Sequence, residues 1–240
     1  MNIVVGTRGS NLALIQTEWV INELKKKYPE ISFEIKIIKT KGDLIQNVSL
    51  DKIGDKGLFV KEIEQQLLDG KIDIAVHSMK DMPSYLADGL KFAHTPKRED
   101  PRDVLILREG YKNLDDLPHG AVIGTGSKRR KFQLLKQRPD LNIVQVRGNV
   151  ETRIRKIKDE NMHGIVLAAS GIIRANLQDK ISSYLPVDVV IPAPAQGALA
   201  IEIRSNDSAI EGIVNSLKDE NTEIQILAER GFLDGVNGSC

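Results

Sequence analysis

The chain has 240 residues, 41% apolar and 28% charged, with 34 Lys and Arg against 33 Asp and Glu for a net charge of +1. That length is comfortable for two domains with a core each, and the balance is that of a water-soluble globular protein, not a disordered, fibrous or generally polyanion-binding one. One cysteine excludes an intramolecular disulfide, four histidines without paired cysteines give no zinc spacing, and no apolar stretch is long enough to cross a bilayer. The opening MNIVVGTRGS has no basic leader, so a reducing cytoplasm and no membrane are expected.

In chain order, residues 2–6 (NIVVG) read as a short buried strand, followed by the polar turn TRGS. Leu12, Ile15, Trp19, Val20 and Leu24 then recur at helical spacing until Lys25–Lys27 and Pro29 end the helix. Phe33, Ile35 and Ile37 alternate as a half-buried strand. GLFVKEIEQQLLDG reads as a helix with Ile63 and Leu67 inward and Gly70 as its stop, and IDIAV as the next strand. Residues 94–103 (HTPKREDPRD) are charged, carry two prolines and read as a domain crossing.

Beyond it come strands at DVLIL, AVIG, NIVQV and GIVLAA, each of the last three followed by a polar turn and a helical pattern. Residues 189–198 (VVIPAPAQGA) form a second break that carries the chain back. This alternation predicts an α/β protein with parallel sheets covered by helices, and the lack of an internal repeat excludes a solenoid.

In open α/β sheets, ligands collect where strands end and helix N-termini point their free amides. The turns at such places are TRGS (Arg8, Ser10), HSMKD (Ser78, Lys80, Asp81), GTGSKRR (Ser127, Arg129, Arg130), RGNVETR (Arg147, Arg153) and ASGIIR (Arg174). Every turn delivers a cation, although the helix dipole favours acids in the first turn. Ser127 reads as an N-cap followed at once by Lys128, Arg129 and Arg130, a charge that costs stability unless an anion offsets it. Alone, KRRK reads as readily as a solvated basic face or nucleic-acid contact as it does as a site for an anionic ligand. Five such turns together favour a ligand bearing several carboxylates or phosphates, which suit the planar fork of arginine.

The glycines of GTGSKRR lack phosphate-loop spacing, and no dinucleotide fingerprint follows a strand. Aromatics at 4% leave few stacking platforms for single-stranded nucleic acid. Asp81 is the one carboxylate in the cationic set; it reads either as an ion-pair partner of Lys80 or an arginine, or as an ionised group that stabilises a cation and relays protons. The neighbouring His77 reads as a packed strand residue.

In order and spacing, TRGSNLALIQT, GDKGLFVKEIE, DIAVHSMKDMP, KREDPRD, GTGSKRRKFQLL, VRGNVETR, LAASGIIR and PAPAQGALAIE resemble the porphobilinogen deaminase family, the hydroxymethylbilane synthases, over essentially the whole chain. The resemblance implies two type II periplasmic-binding-protein-like domains with a central cleft and two hinge strands. It places domain 1 at residues 1–96 and 197–218, domain 2 at 97–196, and the start of a third, small α/β domain at 219–240. In the family that third domain continues beyond the cysteine.

The same resemblance implies a transferase of haem and tetrapyrrole biosynthesis. Four porphobilinogen molecules are deaminated and joined head to tail on a dipyrromethane primer, which is held by a thioether to Cys240, and hydroxymethylbilane and ammonia are released. Asp81 corresponds to the catalytic carboxylate that assists loss of ammonia, stabilises cationic intermediates and removes the proton from the coupled ring. Lys80, Ser78, Ser127, Arg129, Arg130 and Asp43 correspond to cofactor-binding residues. Arg8, Ser10, Arg147, Arg153, Arg174, Gln196, Phe59, Lys52 and Lys56 correspond to substrate-binding residues, with KIGDKGLF (52–59) as a flexible loop in which Phe59 stacks on a pyrrole. No metal is implied, the enzyme is a monomer, and the product passes to uroporphyrinogen-III synthase. Ser239 stands where a second glycine is common and Ala195 where glycine is usual. The rival reading is a non-catalytic cleft protein for a polycarboxylate, which needs neither Asp81 nor a mobile loop nor a thiol.

Overall fold

The computed structural model describes residues 1–44, 60–236 and 238. The chain forms two compact units, one from Met1–Glu99 with Ala198–Cys240 and one from Asp100–Gly197.

The first unit is built on a five-stranded sheet of β1 (Asn2–Thr7), β2 (Ser32–Ile37), β3 (Ile74–Ser78), β4 (Leu90–Phe92) and β10 (Leu199–Arg204), in the order β2-β1-β3-β10-β4. α1 (Asn11–Lys27) follows β1 because Ser10 is extended and its Oγ accepts the Ala13 amide at 3.3 Å, while Lys25–Lys27 suit the negative pole of its last turn. Val20, Ile21 and Leu24 pack one face of the sheet against Ile3, Val5, Ile74 and Ile201, joined by Ile210 and Val214 of α7 (Ser208–Val214). α3 (Lys61–Leu68) covers the other face with Ile63 and Leu67, both fully buried as the spacing predicts. The short helix α2 (Lys41–Leu44) precedes it.

The second unit repeats the layout with β5 (Asp103–Leu107), β6 (Val122–Gly124), β7 (Asn142–Val144), β8 (Gly164–Ala168) and β9 (Ser183–Leu185), in the order β7-β6-β8-β5-β9. α4 (Lys128–Gln137) lays Leu134 on one face with Leu105, Ile123 and Val166. α5 (Val150–Asp159) and α6 (Ala169–Arg174) lay Ile157 and Ile172 on the other with Val104, Ile106 and Ile165.

The sequence pattern predicts parallel sheets; both sheets are mixed. In each, four of the five strands run in one direction, and the remaining strand, β10 or β5, is antiparallel to both of its neighbours. β10 and β5 are the strands that directly follow the two points where the chain passes between units. Each therefore starts at the edge where the oppositely directed neighbour finishes: Leu199 pairs with Ser78 at the end of β3, and Asp103 with Ala168 at the end of β8. Buried along almost their whole length, DVLIL and LAIEIR carry no period that distinguishes the two directions.

α8 (Glu220–Gly235), capped by Asp219, whose carboxylate accepts the Thr222 amide at 2.8 Å, packs Thr222 and Ile226 inward on the first unit. Ile224, Leu227 and Phe232 face away and are 67%, 66% and 68% exposed.

Candidate active site

In the first unit the turns after β1 and β3, neighbouring parallel strands, open into one pocket of about 100 Å³. Arg8, Ser10, Ser78 and Asp81 line it together with Gln16 and His77, over an apolar wall that includes Val60, Val76 and Met82. Asp81 ends a single 3-10 turn, Met79–Asp81, whose two flanking methionines anchor it: Met79 is 2% exposed and Met82 1%, whereas Asp81 is exposed. The Met79 amide donates to the Ala198 carbonyl at 3.0 Å, and Arg230 of α8 donates to the Pro83 carbonyl at 2.6 Å, so the turn is held from both sides. Asp81 makes no ion pair among the described residues, contrary to the bland reading in which Lys80 or an arginine neutralises it. Lys80, half-buried, is on the same turn.

Gln16 is a pocket residue that no sequence motif singles out. It is 5% exposed, its Nε2 donates to Ser78 Oγ at 3.0 Å, and Ser78 Oγ donates back to its Oε1 at 3.2 Å. The available signal was a polar side chain one helical turn before the buried Val20. His77 is a packed strand residue, as its setting predicts: Nε2 lies 3.1 Å from Oε2 of the fully buried Glu202. Glu64, buried nearby, has its carboxyl pushed up by burial and by the charge of Glu202.

The second unit gathers the other cationic turns. Ser127 caps α4 by accepting the Arg130 amide at 3.4 Å. Asn149 caps α5 by accepting the Thr152 amide at 2.9 Å, and Gly148 before it has φ +117°, a conformation open to glycine. Arg153 donates through Nε to the Gly148 carbonyl at 2.7 Å, Arg174 through Nη2 to the Gly197 carbonyl at 2.8 Å, and Arg147 is half-buried on the turn between β7 and α5.

Charge at the start of α4 is offset within the chain. Asp103, fully buried, accepts from Arg130 Nη2 at 2.7 Å and from Arg129 Nη1 at 2.7 Å. Gln196 Nε2 donates to the same carboxylate at 2.9 Å and to the Pro101 carbonyl at 2.7 Å. Burial opposes ionisation of Asp103, but the charges and hydrogen bonds of Arg130 and Arg129 outweigh it and hold its carboxyl below the ordinary carboxylate range. The cationic turn therefore does not depend on a ligand alone for its neutralising anion; buried Asp103 supplies part of it. Ala195, just before Gln196, has φ +61°, the left-handed region that explains glycine at that position in the family resemblance.

Four predicted residues, Lys52, Lys56, Phe59 and Cys240, lie outside the described residues, and so does the side chain of Asp43 in α2.

Fold and turns define a class: a two-unit α/β protein of the type II periplasmic-binding-protein kind, with cations at the carboxyl edges of its parallel strands. A solved relative in fold is the periplasmic VFT2 domain of Bordetella pertussis BvgS, with a TM-score of 0.50 at 14% identity over 97% of this chain and 92% of that one. The family described as "Porphobilinogen deaminase, dipyromethane cofactor binding domain" matches residues 3–212. A porphobilinogen deaminase of Clostridium novyi is 62% identical over 100% of this chain and 81% of its own length, and one of Geobacillus kaustophilus 54% over 100% and 77%. The chain belongs to the porphobilinogen deaminase family, the hydroxymethylbilane synthases, which are transferases of tetrapyrrole biosynthesis acting on porphobilinogen with a dipyrromethane cofactor. No helix among the described residues is long and apolar enough to cross a membrane.

Proposed function

We propose that the pocket of the first unit is the reacting centre, and that Asp81 is its catalytic carboxylate in the head-to-tail joining of four porphobilinogen molecules. The observation that carries this reading is the meeting of Arg8, Ser10, Ser78 and Asp81 in one pocket, with no ion pair to Asp81 among the described residues. Arg8 binds a substrate carboxylate, with Ser10 and Ser78 as hydroxyl contacts. Asp81 gives electrostatic stabilisation where positive charge develops as the amine leaves, and it takes up the proton lost when the new ring is coupled.

The donor set of the second unit fits a dipyrromethane, whose rings bear acetate and propionate groups. Among the described residues, no partner engages Nε or Nη2 of Arg129, which leaves a forked pair of donors for a carboxylate. In this reading Arg129, Arg130, Ser127, Ser78, Lys80 and Asp43 hold the cofactor. Arg147, Arg153, Arg174 and Gln196, with Lys52, Lys56 and Phe59, hold the growing product. When bound, the cofactor supplies the nucleophilic pyrrole on which the product is built.

Cys240 is the attachment point, since a thiolate is a strong nucleophile toward an electrophilic methylene. α8 opens a third domain from residue 219, a reading supported by the exposed Ile224, Leu227 and Phe232 on its outer face. Action as a cytoplasmic monomer and delivery of product to uroporphyrinogen-III synthase rest on the family resemblance alone.

The decisive experiment is the intact mass of the protein purified from cells, against 26.6 kDa for the bare chain. A dipyrromethane addition that disappears in Cys240→Ser is the expected result; a chain that stays bare after incubation with porphobilinogen overturns the attachment.

A further inference from the structure

Asp103 stands at the edge where β8 ends and receives contacts from three directions. Its Oδ1 accepts Arg130 Nε at 3.0 Å, Arg130 Nη2 at 2.7 Å and Gln196 Nε2 at 2.9 Å, and its Oδ2 accepts Arg129 Nη1 at 2.7 Å. One buried carboxylate thus ties the first turn of α4 to both segments by which the chain enters and leaves the second unit.

The two arginines are held in different ways. Arg130, with a side chain 8% exposed, turns two nitrogens to Asp103 and a third, Nη1, to the Val166 carbonyl at 3.3 Å. Arg129, 23% exposed, is engaged at Nη1 alone, by Asp103 and by the Ile191 carbonyl at 2.6 Å. A guanidinium has five N–H donors in a rigid plane. Fixing both protons of Nη1 on two oxygens sets the orientation of that plane and leaves the Nε–Nη2 edge, a bidentate match for a carboxylate, without a partner among the described residues. The same pairing lowers the cost of starting a helix with Lys128, Arg129 and Arg130 at its positive pole.

We propose that Asp103 is a positioning residue for this turn, keeping Arg130 as a buried strut and holding Arg129 by one end so that its Nε–Nη2 edge meets a carboxylate of the dipyrromethane. The proposal rests on the assignment of Arg129 to the cofactor made above. It gives the last carboxylate of the KREDPRD motif a task beyond packing: it fixes the orientation of a partly exposed cation.

The test compares the parent protein with Asp103→Asn and Arg129→Lys, purified in parallel. Loading is read by intact mass, and folding by circular dichroism at a temperature where each variant is native. The expected result is a loaded fraction at least tenfold lower in folded Asp103→Asn. Arg129→Lys is expected to show the same loss with little change in melting temperature, because lysine still pairs with Asp103 but has no forked edge. Folded Asp103→Asn that loads like the parent overturns the proposal.

Nitrogen-15 arginine spectra of the parent protein provide a second arm, should Asp103→Asn fail to fold or the parent itself carry no cofactor. Resolved, slowly rotating Nη signals of Arg129, assigned by their loss in Arg129→Lys, support an oriented guanidinium; averaged signals at low temperature overturn it. A bare parent with an oriented Arg129 counts against the cofactor assignment and leaves the positioning by Asp103 standing.

Discussion

Arg98 and Glu229 form a bidentate pair, Nη1 to Oε1 at 2.6 Å and Nη2 to Oε2 at 2.9 Å, which fastens α8 to the segment following β4. The Arg98 amide also donates to Thr222 Oγ1 at 3.0 Å, so α8 is held largely by polar contacts. Glu229→Gln keeps the shape and removes the charge; hydrogen bonds to charged groups contribute about 1.5–3 kcal/mol each. Because Glu229 is 34% exposed, solvent screening brings the expected loss below that range, to about 1 kcal/mol. Hydrogen exchange should show faster exchange in α8 with the second unit unchanged; unaltered α8 protection would refute the assignment.

Acid should loosen the same helix. Burial raises the Glu223 carboxyl, but hydrogen bonds from the Thr95 amide at 2.7 Å and the His94 ring at 3.1 Å outweigh it, and its value is lowered from the ordinary 4.5. A carboxylate depressed in the folded state contributes stability that is complete above its unfolded value and is lost as pH falls through the folded one. The contribution of Glu223 is therefore intact above about pH 4.5 and declines below it. Exchange of α8 amides measured from pH 6 down to about 3 should accelerate at the acid end in the parent and lose that dependence in Glu223→Gln. Parallel curves would count against the contact.

Beneath the pocket, Glu202 is fully buried and its Oε1 has no partner among the described residues, so His77 at Oε2 is its main compensation. Leaving a buried polar group without its hydrogen-bond partner costs about 1–3 kcal/mol. His77→Ala should approach that loss in urea denaturation at neutral pH, and His77→Gln, which still offers an N–H to Oε2, should recover part of it. A loss in His77→Ala below about 1 kcal/mol would show that Glu202 is satisfied in another way.

The fold was legible wherever one period dominated. The inward Ile63 and Leu67 and the strands β1, β2, β3, β5, β6, β7 and β8 follow from spacing, whereas the short β4 and β9 and the returning β10 carry no such signal. Strand direction was not legible, because β5 and β10 are buried on both faces and read the same in either direction. Of the candidate site, the turns showed their cations, but nothing local marks Asp103, 26 residues before Arg129, as their counter-charge. Gln16 was hidden by its place in an otherwise ordinary helix, and His77 was read correctly because its strand neighbours are apolar.

Asp81 offers the cleanest separation of chemistry from folding. Its side chain is exposed and makes no ion pair among the described residues, while Met79 and Met82 do the anchoring of its turn. Asp81→Asn should therefore change stability by less than about 0.5 kcal/mol, the range of surface substitutions away from special features. Loss of a positioned proton-transfer group costs about 10²–10⁴ in rate. We expect the variant to keep its covalent cofactor by intact mass, melt with the parent, and form hydroxymethylbilane at least about a hundredfold more slowly. Normal turnover would remove Asp81 from the chemistry, whereas a slow variant that also melts early would return it to a structural role.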